Sequence, residues 1–569
     1  INKTPIWKDK EIGWTYTVRS RTEQPIDLSS EQFSSTNYGT IVYGKTPLVL
    51  DYMADYVGQD KFDYAMRQYF AAYKFKHPDP DAFFETLARG TGTDMQIFRE
   101  GLFNSTRRID YKISGLHKKG TENYVLKIKN KGNLALPFSV DFKDGQGKLS
   151  RQWFDGFTGT RRVMIAAPGS KNITIDAAEK MPDADRRNNS IRTEGLFKKR
   201  RPLQLRLLTA LESNENKQLF YFPMLNANFY NGLIPGLVIH NYGLYKKRCE
   251  FFVIPGYGFR SKAPAGLAQA DINLFPRRII QQITLGVKGR AFAYDNFRTD
   301  ILNRLNGTNF KRLYLNYLKI SPYVDLEFKK RNAISRFYQH ITLTANVLIT
   351  DSLNTSADVI KDIAIRGPLK KTTRSVINVM TYDLNHRRMI DPFAFEASLQ
   401  QAGGMTKIYG AFSYSFTTSE KQCFSIRVFG GSFITGSLAE GRYYALRPSG
   451  YSGHDDYLFE GNYMARNEAN GVGPQQFAER DGNMKVWTLL AGSPQWMASV
   501  NLRSPKLFVL PMKFFADVMV CDGSVLPQEK VLWDAGLQIT LLKNVLDVYV
   551  PLGYSSYTQK IMNLNGFDF

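Results

Sequence analysis

The feature that most constrains this chain is an alternation of apolar and polar residues that recurs through its last two-thirds. In residues 531–541 every odd position is apolar, and the even positions are mostly Asp, Gly, Gln and Thr. A period of two places all the apolar side chains on one face of a β-strand. The same period recurs in residues 318–328, 337–349 and 496–502.

These strands fit a membrane barrel better than a water-soluble sheet. They are about ten residues or longer, the length that a tilted strand needs to cross a bilayer. Their charged residues fall opposite the apolar face, as a water-filled interior allows. No helix intervenes, and a barrel removes the unpaired edges of so large a sheet. We predict a transmembrane antiparallel β-barrel of about fourteen strands in residues 216–569. The strands are predicted near residues 229, 249, 264, 279, 311, 334, 373, 392, 406, 422, 490, 507, 529 and 545.

The composition agrees with this prediction. Aromatic residues make up 13% of the chain, with 31 Tyr and 39 Phe, yet the mean hydropathy is only -0.32. A helical membrane protein needs runs of about 18 or more apolar residues, and the sequence contains none. Barrels combine aromatic girdles with a polar lumen, which lowers the mean hydropathy.

The net charge of +23 predicts an anionic partner. The basic residues are spread among strands and loops, and no nucleic-acid motif is present, so nucleic acid is not expected. Phosphates of outer-membrane lipid are the expected partner, and a solvated basic surface is the alternative. A long loop at about 434–484 is predicted to be external, and its Asp455 and Asp456 are expected to be solvated rather than cation ligands.

The chain is predicted to contain several domains. Residues 1–108 are expected to be helical, because Phe62, Ala65 and Met66 begin an apolar stripe at helical spacing behind Asp60. Weaker alternation and Gly or Asn punctuation predict a small β-sandwich, and a polar, basic stretch predicts a linker. The expected order is a helical module (1–108), a β-sandwich (109–180), a linker (181–215) and the barrel (216–569).

The helical module resembles the gluzincin zinc aminopeptidases over about residues 5–108. Residues 38–50 look like the Tyr-x-Lys-Gly segment that opens a helix in that family, with Thr46 in place of the usual Gly. Residues 75–83 (Phe-Lys-His-Pro-Asp-Pro-Asp-Ala-Phe) and 90–95 follow in the family's order. The whole architecture resembles a group of Bacteroidota outer-membrane proteins that fuse such a module to a C-terminal barrel.

The resemblance implies a catalytic role for Tyr43. In that family the matching tyrosine donates a hydrogen bond to the oxyanion formed at the zinc, and a neutral phenol suits this task. The alternative is that Tyr43 is a packing residue beside a helix N-terminus. No His-Glu-x-x-His occurs in the chain, and its six histidines are scattered. Zinc is expected for the full-length family, with ligands and the Glu base upstream of Ile1.

Two functions follow as hypotheses. The first is an outer-membrane-anchored zinc metallopeptidase of aminopeptidase type, acting on a peptide substrate and seen without its metal-binding segment. The alternative is a non-catalytic barrel subunit of a multi-protein outer-membrane assembly or export machine, which uses the peptidase-like fold as a scaffold for other outer-membrane proteins. The expected location is the cell outer membrane, with the helical module in the periplasm.

Overall fold

A computed structural model of the 569-residue chain shows a predominantly β structure. The chain divides into two compact units. The first unit comprises residues 1–220, 241–247 and 331–335; the second comprises residues 221–240, 248–330 and 336–569. The structure describes residues 6–120, 122–143, 146, 148–276, 278–298, 312–353, 370–419, 422–449, 456–460, 478–486, 492–507, 511–522, 531–542 and 545–556.

The first unit begins with helices. The α-helices are α1 (Ile6–Ser20), α2 (Ser35–Asn37), α3 (Thr46–Val57), α4 (Gln59–Tyr73), α5 (Pro80–Thr91) and α6 (Gln96–Phe98). Two π-helical segments, Tyr38–Lys45 and Arg99–Phe103, continue α2 and α6. The ends of α5 are set by local chemistry: the Asp79 side chain accepts a hydrogen bond from the Ala82 N–H at 2.8 Å, and Gly92 ends the helix at φ +68°.

Two small sheets complete the first unit. One has the order β1-β2-β5 and the other β4-β3-β6-β7. Their strands are β1 (Tyr111–Lys119), β2 (Asn123–Asn130), β3 (Phe138–Lys143), β4 (Leu149–Phe154), β5 (Gly159–Ala166), β6 (Asn172–Ile175) and β7 (Ser190–Arg192). Helices and sheets share one apolar core, in which the ring centroids of Tyr52 and Phe98 lie 5.5 Å apart and those of Tyr111 and Phe138 lie 4.5 Å apart.

The segment expected to be a linker is structured. Residues 181–215 contain a 3-10 turn (Arg186–Asn188), β7 and the strand β8 (Leu203–Leu207). Asp183 is buried and accepts a hydrogen bond from the Tyr111 N–H at 3.1 Å. Arg186, also buried, donates to the carbonyl of Met181 at 2.6 Å. The polar and basic composition predicted a linker, but these polar groups are satisfied by partners inside the unit.

A sixteen-stranded sheet dominates the structure. Its hydrogen-bonded order runs without interruption from β8 to β23, so every strand neighbours those before and after it in sequence. The strands after β8 are β9 (Lys217–Asn228), β10 (Gly232–His240), β11 (Cys249–Gly258), β12 (Ala263–Leu274), β13 (Ile280–Arg298), β14 (Arg312–Phe328), β15 (Phe337–Leu353), β16 (Lys370–His386), β17 (Phe393–Ala402), β18 (Met405–Ser419), β19 (Gln422–Thr435), β20 (Trp496–Arg503), β21 (Met512–Cys521), β22 (Val531–Leu542) and β23 (Leu546–Tyr554).

Neighbouring strands from β10 to β23 pair in antiparallel fashion. The connections at one end of the sheet are short, as at residues 275–279, 329–336 and 387–392. We call this the short-turn end. The opposite end carries the long connection of residues 436–495, which includes the helix α7 (Leu438–Tyr443). Among the described residues, no helix is both long and apolar enough to cross a membrane.

The expectation of a large antiparallel sheet in the last two-thirds of the chain is confirmed, with sixteen strands rather than about fourteen. The two strands absent from the prediction are β8 and β9. In β9 the alternation is weak, because Pro223 interrupts it and Asn226 and Asn228 end it. Residues 203–207 lie inside the polar stretch that suggested a linker.

Candidate functional site

The two faces of the large sheet have opposite character. In β14, Leu318 and Ile320 are each 39% exposed, whereas the intervening Lys319 is buried, as is Ser321. A sheet that faces water would bury the leucine and isoleucine and expose the lysine. We call the two sides the exposed apolar face and the buried polar face.

The same division continues across the neighbouring strands. The exposed apolar face includes Leu343, Val376, Met380, Leu399, Ile408, Phe412, Val428, Val500 and Val518. The buried polar face includes Asn346, Ser398, Gln400, Lys407, Ser499, Asn501, Asp517 and Asp534. Because side chains alternate along each strand, the antiparallel register keeps each set on its own side.

Residues 456–460, part of the long connection, lie against the buried polar face; we call them the inner segment. The Lys319 amine donates to the carbonyl of Leu458 at 2.7 Å and lies 3.3 Å from a carboxylate oxygen of Glu460. The Phe459 ring stacks on Tyr317 with centroids 4.1 Å apart. Tyr457 donates from its hydroxyl to Gln400 at 2.6 Å. The inner segment is therefore fixed by both polar and aromatic contacts.

Asp456 corrects an expectation of the sequence analysis. It is buried rather than solvated, because its segment folds against the sheet instead of extending outward. Its neighbour Asp455 lies outside the described residues.

A second part of the same connection, residues 478–486, also covers the polar face. The Asp534 carboxylate accepts hydrogen bonds from the backbone N–H groups of Lys485 and Val486 at 2.8 and 2.7 Å. The Lys485 amine lies 3.3 Å from a carboxylate oxygen of Asp517, and all three charged side chains are buried. Charges without water are costly unless paired and hydrogen-bonded, so these contacts hold the connection against the strands.

A polar cavity of about 560 Å³ remains beside these segments. It is bounded by strands β13 and β15–β19 and by both covering segments. Carboxylates of Asp383 and Glu396, which oppose each other across β16 and β17, face it together with the guanidinium of Arg427. This space suits water and small hydrophilic solutes.

A row of aromatic rings runs along the exposed apolar face near the short-turn end. Phe337 and His386 stack with centroids 4.1 Å apart, and His386 lies 5.0 Å from Phe393. Further contacts of 4.6 to 6.5 Å continue the row across β17, β18 and β19. The members of this aromatic row are Phe337, His386, Phe393, Phe412, Tyr414, Phe416 and Phe424.

In the first unit, Tyr43 lies in the π-helical segment Tyr38–Lys45, and 60% of it is exposed. Its ring makes an edge contact with Tyr38 at 5.9 Å. A hydrogen bond with Tyr43 raises the pKa of Tyr38. The Tyr43 side chain is therefore not part of the apolar core.

Lys45, two residues further on, is fully enclosed. Its amine is 3.5 Å from the carbonyl of Ser105. Burial lowers the pKa of Lys45, and the nearby Glu23 carboxylate opposes that shift. Glu23 itself is paired with Arg108 at 2.5 Å. This buried cluster fixes the backbone from which Tyr43 projects.

The residues that the structure describes do not supply a zinc site. No three His, Cys, Asp or Glu side chains among them are arranged to hold a metal ion. His340 faces Asp325 at 3.7 Å, His386 belongs to the aromatic row, and His240 is buried. His77 and His117 are exposed. His454 lies outside the described part of the chain.

Comparison with known proteins adds little. Neither a protein-family model nor a curated protein matches the chain. Among solved structures, Legionella pneumophila aminopeptidase A in complex with aspartic acid shares 15% identity with a TM-score of 0.22. The likeness covers 26% of this chain and 18% of that enzyme. A similarity this small carries no argument about fold or activity.

Proposed function

We propose that the chain is an integral outer-membrane protein whose sixteen-stranded sheet closes into a barrel and anchors the first unit. The observation that carries this proposal is the inverted sheet, which exposes Leu318 and Ile320 and buries Lys319. An outer face made of apolar side chains is stable in contact with lipid but unfavourable in contact with water. The charged side chains on the other face require an enclosed polar interior.

Two further observations support a barrel with a filled interior. Aromatic girdles mark the membrane–water boundary of such proteins, and the aromatic row has this composition and continuity. The inner segment and residues 478–486 occupy the polar side of the sheet. An anchor with a plugged interior explains them better than an open pore does. By the usual asymmetry, the short-turn end would face the periplasm, where we also place the first unit.

The proposal is tested by expressing the full chain behind an export signal and isolating outer membranes. We expect the protein to resist extraction by carbonate and urea, and to migrate faster on gels before boiling than after. Release by carbonate, together with a single gel mobility, would show that the sheet is not embedded.

A second candidate function, peptide hydrolysis in the first unit, is supported by the placement of Tyr43. An exposed phenol on a backbone held by a buried lysine is a preorganised hydrogen-bond donor, which can stabilise an oxyanion as it forms on a peptide carbonyl. We assign Tyr43 that hydrogen bond alone, and we assign no zinc ligand among the residues that the structure describes.

Tyr64 provides a matched control for this role. It is also an exposed tyrosine of the first unit, and it lies on α4, outside the π-helical segment. If the chain hydrolyses unblocked peptides, Tyr43→Phe should lower kcat by about 100-fold or more, the usual effect of losing one oxyanion donor. Tyr64→Phe should retain most activity. Unchanged hydrolysis in Tyr43→Phe would rule out the role assigned to Tyr43 and favour the non-catalytic alternative, in which the first unit docks other outer-membrane proteins.

A further inference from the structure

We propose that two neighbouring turns at the short-turn end form a binding site for the phosphate headgroups of anionic phospholipid, with Arg336 and Arg388 as the phosphate ligands. The inference rests on the proposed membrane-embedded barrel and adds a specific lipid contact to it. The two turns contribute Arg336, which directly precedes β15, and residues 387–392, between β16 and β17. The Arg387 N–H donates to the Arg336 carbonyl at 3.0 Å, so Arg336 lies beside the second turn.

Both arginines lie at the end of the aromatic row, because Arg336 directly precedes Phe337 in the chain and Arg388 follows His386 by two residues. Arg388 sits over the Phe393 ring, with Cζ 5.9 Å from the centroid, and its Nε donates to the Asp391 carbonyl at 2.6 Å. Arg336 and Arg388 both lie close enough to His386 to interact with it electrostatically. The two arginines therefore flank the stacked rings of Phe337 and His386.

The positive charge of this pair is not neutralised within the described residues. No carboxylate there forms an ion pair with Arg336 or Arg388. Asp391, the carboxylate of the same turn, has one oxygen occupied by the Thr417 N–H at 2.8 Å. Two adjacent cations of this kind attract an anion, and guanidinium groups match phosphate oxygens in geometry.

The turn also presents apolar side chains beside the cations, which favours a lipid over a soluble anion. Met389 is 86% exposed and Ile390 is 66% exposed, and both directly follow Arg388. Apolar tips, aromatic rings and cations at one level are the combination found at a membrane–water boundary, where cations meet lipid phosphates. An acidic protein partner would not require the apolar tips.

The same two turns provide an internal control on the other face of the sheet. Lys330 and Arg387 both contact the ring of Tyr338, with the Lys330 amine at 3.8 Å and the Arg387 Cζ at 4.4 Å. Tyr338 alternates with Phe337 and shares the side of His340, so it belongs to the polar face. These two cations carry the same charge in the same turns but point away from the proposed lipid.

The test compares two double variants of the full chain, Arg336→Gln with Arg388→Gln and Lys330→Gln with Arg387→Gln. Each detergent-purified protein is titrated with phosphatidylglycerol, and bound lipids are counted by native mass spectrometry. Each cation near a bilayer surface contributes about a five-fold gain in lipid affinity. The first variant should therefore bind the most tightly held lipid on the order of twenty-fold more weakly, and the second should match the wild type.

Four outcomes would overturn the inference: no loss in the first variant, an equal loss in both variants, displacement of the lipid by equimolar inorganic phosphate, or the same variant dependence with polyglutamate in place of lipid. Carbonate resistance and gel mobility are measured for all three proteins. If the wild type fails those assays, the barrel proposal fails; if it passes and the variants bind lipid equally, only the lipid site is wrong.

Discussion

At the scale of single residues, the second unit places charge where a water-soluble sheet places apolar groups. The Lys319 amine is tolerated because it donates to a backbone carbonyl and approaches a carboxylate. Asp534 is tolerated because two backbone N–H groups point at it. Such pairing offsets the free energy lost when each charged group leaves water. The unfavourable free energy of this sheet in water therefore comes from its exposed apolar side chains.

The exposed apolar residues give the sharpest single-residue prediction. Ile320 lies in the middle of β14, where a barrel strand would be deepest in the bilayer. Ile320→Arg should destabilise the folded protein by about 2–4 kcal/mol in lipid. The protein is unfolded by denaturant in lipid vesicles, and the fraction that remains folded is measured from the fast-migrating gel band.

Met164, on β5 of the first unit, is the matched control, because it is also apolar and is 57% exposed. Surface substitutions in water usually change stability by less than about 0.5 kcal/mol. Met164→Arg should therefore be nearly neutral. If Ile320→Arg were as nearly neutral as Met164→Arg, β14 would face water.

Asp176, in the first unit, predicts a pH dependence. It is buried and accepts hydrogen bonds from the N–H groups of Lys180 and Met181, and burial raises its pKa to about 7. A carboxyl whose folded pKa exceeds its unfolded value contributes stability that is complete below about pH 4 and lost as the pH rises through about 7. Between these two pH values the free energy of unfolding falls by at most about 1.4 kcal/mol per pH unit.

Asp176→Asn should remove this slope, because the amide mimics the protonated acid and asparagine tolerates the left-handed backbone at φ +52°. The readout is hydrogen exchange in β3 and β6 of the full chain from pH 4 to 8. Relative to the wild type, the variant should gain stability as the pH rises. A constant difference between the two proteins would contradict the assignment.

Sequence reasoning identified some of these residues and missed others. Alternation alone placed Lys319 opposite Leu318 and Ile320, because the period of two fixes the side of each residue. It could not show that Lys319 meets Leu458, since that contact spans more than a hundred residues. The proximity of Arg336 to Arg388 was equally hidden, although the basic turns themselves are visible in the sequence.

At the scale of elements, the inner segment gives the clearest prediction. Lys319→Met removes the amine that holds Leu458 and Glu460, so the segment should leave the polar face more often. In planar bilayers the variant should conduct ions several-fold more than the wild type does.

Lys288→Met is the control for the change in charge. Lys288 also lines the cavity, but its amine lies over the Tyr323 ring of β14, 4.6 Å from the centroid. Its loss should leave conductance close to that of the wild type. If the two variants conducted equally, the loss of a positive charge, and not release of the inner segment, would explain the change in conductance.

The strands were more predictable than the connection that covers them. Long amphipathic strands such as β15 and β22 are recognisable from their strict alternation. Residues 456–460 have no period, and their aromatic residues could equally mark an external loop. Their burial depends on partners in β14 and β17, which no local pattern encodes.

At the scale of the whole molecule, closure of the sheet is the decisive prediction. Among the described residues, hydrogen-bonded pairing ends at β8 and β23. Cysteine pairs placed along these two strands, in a background without Cys249, Cys423 and Cys521, should form disulfides in outer membranes. The measurement is the change in gel mobility after oxidation.

Cysteine pairs between β8 and β15, which lie far apart in the strand order, serve as the control. They should remain reduced under the same conditions. If the β8–β23 pairs also stay reduced at every register, the sheet is open and the anchoring proposal must be abandoned.

The position of the long connection in the chain has a consequence for biogenesis. Residues 436–495 connect β19 to β20, so the inner segment must fold back against β14 and β17, which do not neighbour β19 or β20 in the sheet. If the sheet closes as we propose, placing the inner segment is a step of assembly that strand pairing alone does not complete. A variant that delays this step, such as Lys319→Met, should therefore accumulate as a protease-sensitive precursor during pulse-labelling, even where its final yield is normal.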